Sequence, residues 1–471
     1  MTEPRGMPWK KAGVMGLGLS GAAAAGFLSR RGVQVIAADD KPFASLGDEA
    51  RALAKAGVTL RAGPTDPHVF SGCEIVVASP GVPPTAPPLA GARAAGIPII
   101  AEVELAAPWL RGVLIGITGS NGKSTVTALT GKILETAGVP IRVCGNIGVP
   151  LTSVMERDLD LPEAEARRVH YVTELSSFQL EGIERFSPRV AVLLNLSPDH
   201  QDRYERMEDY YAAKTRIFMN QRGDDIAIVN WDDPAVIPIA ERLAARLCPF
   251  SLTQELEEGA VLSGGRLTLR SAAREETIMD ATDVPIPGRH NLENVLAAAC
   301  VAYHRGVPVE TIARAVRAFT ALPHRLEFVA EVAGVAWYND SKATNVGSTL
   351  RALEAFTRPI VLLLGGYDKG GDFESLKRPL SAKGPGLRAV VTFGKAGDDI
   401  ARRLEGSAPH IARSGALAEA ARVAAGLARS GDVVLLAPGC ASFDAYTGYD
   451  KRGEDFRTIV ARLASQAGGQ R

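Results

Sequence analysis

A chain of 471 residues exceeds what one ordinary core organises, and at roughly 100 to 200 residues per domain it calls for about three domains. Lys plus Arg and Asp plus Glu stand at 53 each, so a formal net charge of zero gives no general attraction to nucleic acid or to an anionic membrane surface. Cys73, Cys144, Cys248, Cys300 and Cys440 are odd in number and form no C-x-x-C pair, and no apolar run nears a membrane span; a disulfide framework, a zinc ribbon, a secretory leader and a membrane helix are thereby disfavoured, and a cytoplasmic protein is expected.

In chain order, short Val-, Ile- and Leu-rich runs alternate with alanine-rich amphipathic stretches: VIAADD, EIVVASP, GVLIGITG, RVAVLLNL, IAIVN, IVLLLGG, AVVTFG and DVVLLAPG. Strands buried on both faces read this way, and the intervening helical patterns predict parallel α/β units whose ligands sit beyond the carboxyl ends of the strands. One seam falls near residues 102–112, where a short acidic helix is expected, and another near TALPHR at 320–325. The predicted fold is α/β in three domains. A Rossmann-like domain spans 1–101, a P-loop domain with a small β insertion near 250–285 spans 102–321, and a second Rossmann-like domain spans 322–471. The Pro-rich GVPPTAPPLAG at 81–91 reads as a rigid surface loop.

Two glycine clusters carry the first chemistry. Gly16, Gly18 and Gly21 form a G-x-G-x-x-G turn between a strand and a helix, with Asp39 at the end of the next strand, the pattern of a diphosphate held at a helix amino terminus. The second cluster, Gly119-Ser120-Asn121-Gly122-Lys123-Ser124-Thr125, again joins a strand to a helix. Its backbone N–H groups suit phosphate oxygens, Lys123 the β and γ phosphates, and the Ser124 hydroxyl Mg²⁺. The first loop alone would indicate a nicotinamide dehydrogenase; two diphosphate sites in one chain favour an ATP-driven ligase acting on a nucleotide-carrying substrate. A nucleotide-binding regulatory module is the third reading. Glu174, His200 and Lys214 follow at intervals of about one βα unit and could converge on Mg²⁺ near the γ-phosphate. GRHNLEN, NDSKATN and APGCASFDAY place further polar clusters at element ends, where a turn or a helix cap is the plainer reading.

With these motifs together, from GLGLSG through GITGSNGKST, GNIG, ELSSFQLE, DHQDRY, YAAK, GRHN, LPHR and NDSKATN to CASFD, the chain resembles the Mur ligases, and among them the branch that adds D-glutamate. The resemblance implies a cytoplasmic ATP-dependent amide ligase of peptidoglycan precursor synthesis that joins D-glutamate to UDP-N-acetylmuramoyl-L-alanine, and a monomer is expected. It implies that Leu19, Ser20, Asp39, Lys41, Gly81, Asn146 and His200 bind the UDP substrate. Lys41 stands where relatives often carry arginine and offers a point charge in place of a bidentate fork. ATP would meet the loop from Gly119 to Thr125 together with Asn291, Asn294, Arg325, Asp340 and Lys342. Two Mg²⁺ ions are implied, one on Ser124 and Glu174 and one on His200 and Lys214, with Lys214 carrying CO₂ as a carbamate; Lys123, Glu174, His200 and Lys214 would be catalytic. Thr344, Lys369 and Ser442 would bind the D-glutamate carboxylates.

Overall fold

The computed structural model describes residues 6–201 and 203–468. Three sheets organise them. The first holds β1 (Lys11–Met15), β2 (Gln34–Asp39), β3 (Thr59–Ala62), β4 (Ile75–Ala78) and β5 (Ile99–Ala101), all parallel in the order β3-β2-β1-β4-β5. The chain winds outward from β1 to β3 and then crosses back to β4, so the strand order reverses beside β1 and opens a crevice at its carboxyl end.

The second sheet holds β6 (Val113–Thr118), β7 (Ile141–Gly145), β8 (His170–Glu174), β9 (Val190–Leu193), β10 (Ile226–Asn230), β11 (Arg246–Ser251), β12 (Gly259–Ser263), β13 (Arg266–Ser271) and β14 (Arg274–Asp280). Their order is β14-β13-β12-β11-β10-β9-β6-β8-β7. From β7 to β12 the neighbours run parallel, while β12 and β13 pair antiparallel, so the short strands expected near 250–285 extend the edge of the central sheet. The third sheet holds β15 (Glu327–Val332), β16 (Val335–Asn339), β17 (Ile360–Gly365), β18 (Leu387–Phe393), β19 (Ile411–Arg413) and β20 (Val433–Leu436), in the order β15-β16-β20-β17-β18-β19. Only its β15–β16 pair is antiparallel.

Two compact units result. One runs to Leu196 and adds Arg206–Met279 and Val295–Ala315, carrying the first two sheets; the other comprises Ser197–Glu205, Asp280–Asn294 and the chain from Val316, carrying the third. In the first unit a single apolar cluster runs from one sheet into the next through Phe27, Leu28, Val103, Leu105, Leu151 and Met155. Arg30 adds a bidentate pair to Glu156 at 2.6 Å. The acidic helix Glu102–Ala106 at the seam is buried: Glu102 accepts from the Thr152 N–H, and the Glu104 carboxylate accepts three backbone N–H groups, from Glu184, Arg185 and Phe186. Glu104, so supplied with donors, stays satisfied without a cation, whereas Glu102 Oε2 has no hydrogen-bond partner among the described residues and burial raises the pKa of that carboxyl. In the second unit the β17, β18 and β20 side chains feed two apolar clusters, as strands buried on both faces must.

One expectation needs correction. The stretch 81–91 is not all loop: a helix spans Pro87–Ala94, with prolines in its first turn and Pro88 and Leu89 buried. Proline suits the first helical turn, where its missing N–H leaves nothing unsatisfied. Among the described residues no helix is long and apolar enough to cross a membrane.

Candidate functional site

The first glycine loop follows β1 and opens the helix Leu19–Arg30. Gly16 has φ +85°, and a Cβ on Gly21 would sit 1.8 Å from the Gly16 carbonyl oxygen, so neither tolerates a side chain; a Cβ on Gly18 would meet nothing within 4 Å. The Asp39 carboxylate holds the loop by accepting the Leu17 N–H at 2.7 Å and the Lys41 N–H at 2.9 Å. In front lies a cavity of about 490 Å³, and Leu19, Ser20, Asp39, Lys41, Gly81 and Asn146 all line it. Gln179, overlooked in the sequence, lines it too, and its amide nitrogen is buried with no hydrogen-bond partner among the described residues. Gln179 hid because its carbonyl oxygen accepts from the Ser176 N–H in a capping box, so the residue reads as a helix signal.

The second loop leaves β6 and opens the helix Lys123–Thr136, with Gly122 at φ +85° as its N-cap. Lys123 Nζ donates to the Gly119 and Ser120 carbonyls at 2.8 and 2.9 Å. Asn195, at the end of the β9 segment, clamps the loop. Its Oδ1 accepts the Asn121 N–H at 2.9 Å, its Nδ2 donates to the Asn121 carbonyl at 3.1 Å, and its own carbonyl accepts the Ser120 N–H. Ser124 is buried, Thr125 lies beside it in the first helical turn, and Glu174 is buried at the end of β8, its Oε1 accepting from the Asn146 amide at 2.8 Å. That bond links the residue facing the first cavity to the carboxylate beside the second loop.

Lys214, on the helix Met207–Thr215, is 1% exposed. Its Nζ donates to the Gly119 carbonyl at 2.9 Å and stands 4.6 Å from the centre of the Tyr210 ring, whose hydroxyl donates to Ser120 Oγ at 3.3 Å. Lys123, Ser124, Glu174 and Lys214 thus belong to one unit. Hard oxygen donors of the Ser124 and Glu174 type suit Mg²⁺. Among the described residues no group of three or more His, Cys, Asp or Glu could hold a metal ion.

The remaining expected residues lie on the second unit. His200 adopts φ 54°, uncommon for a side-chain-bearing residue, and its N–H donates to Asp199 Oδ1, while Asp199 Oδ2 accepts from Asn345 at 2.9 Å. Asn345 also caps the helix Val346–Glu354, so the DHQ and NDSKATN segments share one anchor. Asn291 and Asn294 bond to each other at 2.9 Å, and Asn291 donates to the Pro287 carbonyl; neither acts as the simple helix cap that the sequence allowed. Burial pushes the Asp340 carboxyl up to about 7, against the opposing charges of Arg325 and Lys342 and the Leu326 N–H.

Three loops of this unit are stitched together by backbone bonds. Gly439 N–H donates to the Ala343 carbonyl, and Tyr367 and Ala441 exchange a pair of bonds at 2.8 and 3.0 Å. Thr344, Lys369 and Ser442 therefore belong to tied segments. Arg452, fully buried in the helix Tyr449–Gly468, donates to the carbonyls of Ser341, Cys440 and Ala441 and to Ser341 Oγ. Burial lowers its pKa to about 10. Its sequence neighbourhood, YDKRGED, reads as a solvated charge run, which is why the anchor was missed. A nearby cavity of about 720 Å³ is lined by Tyr367, Lys395, Phe443, Asp444 and Arg452, not by Thr344, Lys369 or Ser442.

The fold is shared with solved Mur ligase structures. MurF ligase from Thermotoga maritima, solved in complex with ADP, superposes with a TM-score of 0.60 over 92% of this chain and 95% of that one at 16% identity. UDP-N-acetylmuramate-alanine ligase MurC from the same organism gives 0.56 over 97% and 100% at 18% identity. Family models match in three parts: a Mur ligase MurD-like N-terminal domain over 10–101, a Mur ligase middle domain over 117–302, and a Mur ligase glutamate ligase domain over 324–440. The chain belongs to the Mur ligase family. At the level of sequence it is 46% identical to the UDP-N-acetylmuramoylalanine--D-glutamate ligase of Acidobacterium capsulatum, covering 96% of each chain. It is 45% identical to the ligase of the same name from Solibacter usitatus, covering 96% of this chain and 98% of that one.

Proposed function

We propose that the protein joins D-glutamate to UDP-N-acetylmuramoyl-L-alanine at the expense of ATP, an amide ligation that supplies peptidoglycan precursor. The observation that carries this reading is the pairing, in one compact unit, of a lysine-bearing phosphate loop with a separate cavity around a second glycine loop, in a chain 46% identical to a relative named for that reaction.

In this reading the UDP diphosphate lies against Gly18, where no side chain intervenes, with Lys41 supplying positive charge and Gln179 and Asn146 supplying amide donors to the sugar-peptide part. The alanyl carboxylate oxygen attacks the γ-phosphorus, the bond to the ADP oxygen breaks, and an acyl phosphate forms. The amine of D-glutamate then attacks the acyl carbon, phosphate departs, and the amine proton passes to solvent. Lys123 moves from the loop carbonyls to the migrating phosphoryl group, where a fixed cation offsets spreading charge. Ser124 and Glu174 would hold Mg²⁺, and Lys214, if carried as its carbamate, would offer oxygen to a second ion, since an ammonium cannot ligate a metal. Bound Mg²⁺ neutralises phosphate charge. Thr344, Lys369 and Ser442 take the carboxylates of D-glutamate, held in register by Arg452. The protein works in the cytoplasm as a monomer.

Phosphate release from ATP should require both UDP-N-acetylmuramoyl-L-alanine and D-glutamate, with L-glutamate failing to replace the D form. Release that ignores the amino acid would overturn the ligase reading, and nicotinamide-dependent absorbance change would favour a dehydrogenase.

A further inference from the structure

A second cleft of the first unit has no part in the chemistry above. It encloses about 490 Å³, and its lining includes Pro108, Leu110, Val113, Arg185, Arg189 and Arg305. Arg185 and Arg189 come from the loop that leads into β9, Val113 begins β6, and Arg305 directly follows the helix Arg289–His304. The cleft therefore sits at the amino ends of β6 and β9, whereas the phosphate loop and Asn195 sit at their carboxyl ends.

Three arginines line this cleft, and carboxylates meet one of them. Arg189 pairs with Asp224 and Asp225 at 2.7 and 2.9 Å. Arg305 is half-buried and donates to His170 Nε2 at 3.1 Å, and among the described residues neither it nor Arg185 has a carboxylate partner. Burial and the nearby Arg189 charge both lower the pKa of Arg305, so the two cations repel each other. The arrangement is also held in place: Glu104 accepts the Arg185 N–H at 2.9 Å, and the Ser187 hydroxyl donates to the Asn220 carbonyl at 3.0 Å. Crowding like charges in a concave, part-apolar setting is unfavourable unless an anion completes it.

We propose that this cleft binds a small phosphate-bearing ligand carrying two or more negative charges, with its phosphate oxygens on Arg185, Arg189 and Arg305 and its remainder against Pro108 and Leu110. Guanidinium forks from separate segments suit a tetrahedral oxyanion, which offers oxygens in several directions, better than a planar carboxylate. The volume is that of an ordinary small-molecule site.

The test is calorimetric titration of pyrophosphate into the full chain, with ADP and UDP present in excess to occupy both glycine loops. One binding event is expected, weakened at least tenfold by Arg185→Glu, which alters an exposed side chain and leaves the melting temperature unchanged, and weakened as well by Arg305→Lys, which keeps charge but loses the fork. No binding in the presence of both nucleotides, or equal binding by wild type and Arg185→Glu, would overturn the site. Citrate binding as tightly as pyrophosphate would overturn the assignment to phosphate.

Discussion

The two glycine loops of the first unit start from the same plan, a parallel strand, a turn and a helix amino terminus, and diverge in what fills the turn. The loop at Gly16–Gly21 is defined by missing side chains: Gly21 cannot carry a Cβ against the Gly16 carbonyl, and Gly18 faces an open cavity. The loop at Gly119–Thr125 is defined by side chains that return to it: Lys123 and Lys214 both donate to the Gly119 carbonyl, and Asn195 clamps Asn121. A helix amino terminus suffices to hold a spectator diphosphate, whereas a phosphoryl group in transit needs mobile or metal-binding charge. In the proposed function the contrast separates a binding loop from a reacting one.

The sharpest way to break the contrast is Lys123→Ala. Turnover should fall about 10³-fold while the affinity for the uridine substrate, measured separately, stays within a factor of two or so. Equal losses in both would mean that the loops are not functionally distinct. Lys214→Ala should cost about 10²-fold in turnover, with partial recovery on adding acetate, whose oxygen can replace that of a carbamate. Because Lys214 is buried and its bond to the Gly119 carbonyl is shared with Lys123, the variant should also lose about 1 kcal/mol of stability in a denaturant titration, the net worth of one hydrogen bond. A solvated lysine would show neither effect.

The other loop should respond in the opposite currency. Gly21→Ala forces a Cβ into the Gly16 carbonyl and should lower the unfolding free energy by about 1–3 kcal/mol before any substrate is added. Gly18→Ala, which meets open space, should change stability by less than about 0.5 kcal/mol yet raise the KM for the uridine substrate about tenfold, leaving the KM for ATP alone. An unchanged KM would place the diphosphate elsewhere in the cavity.

Strands and glycine loops were legible in the sequence because their signals are local: a run of β-branched residues, a turn that only glycine can make, a helix pattern beginning at the next residue. The burial of Lys214 was not, since MEDYYAAKT has polar residues all round and nothing in it marks the face that meets Gly119. Asn195 ends the apolar run VAVLLN and reads as a strand terminus; its clamp joins residues 74 positions apart, which only the β6–β9 pairing brings together. The helix beginning at Pro87 was hidden by prolines that usually mark loops but are welcome in a first turn. His200 and Asn345 were both singled out within their motifs, yet their common anchor through Asp199 spans 146 positions and has no sequence signature.

Arg452 has one more consequence, which concerns synthesis rather than catalysis. Chains leave the ribosome amino end first, and domains generally fold as they emerge. The phosphate loop and its strand pairings can therefore be assembled while the helix Tyr449–Gly468, some 330 positions downstream of Lys123, is still being made. Until that helix docks, the carbonyls of Ser341, Cys440 and Ala441 lack their common donor, and the three loops of the second unit rely on the backbone bonds between them. A nascent chain would thus complete its phosphate loop first and, in the proposed function, the loops assigned to D-glutamate last, so that one late arginine would separate a half-made enzyme from one able to complete the reaction.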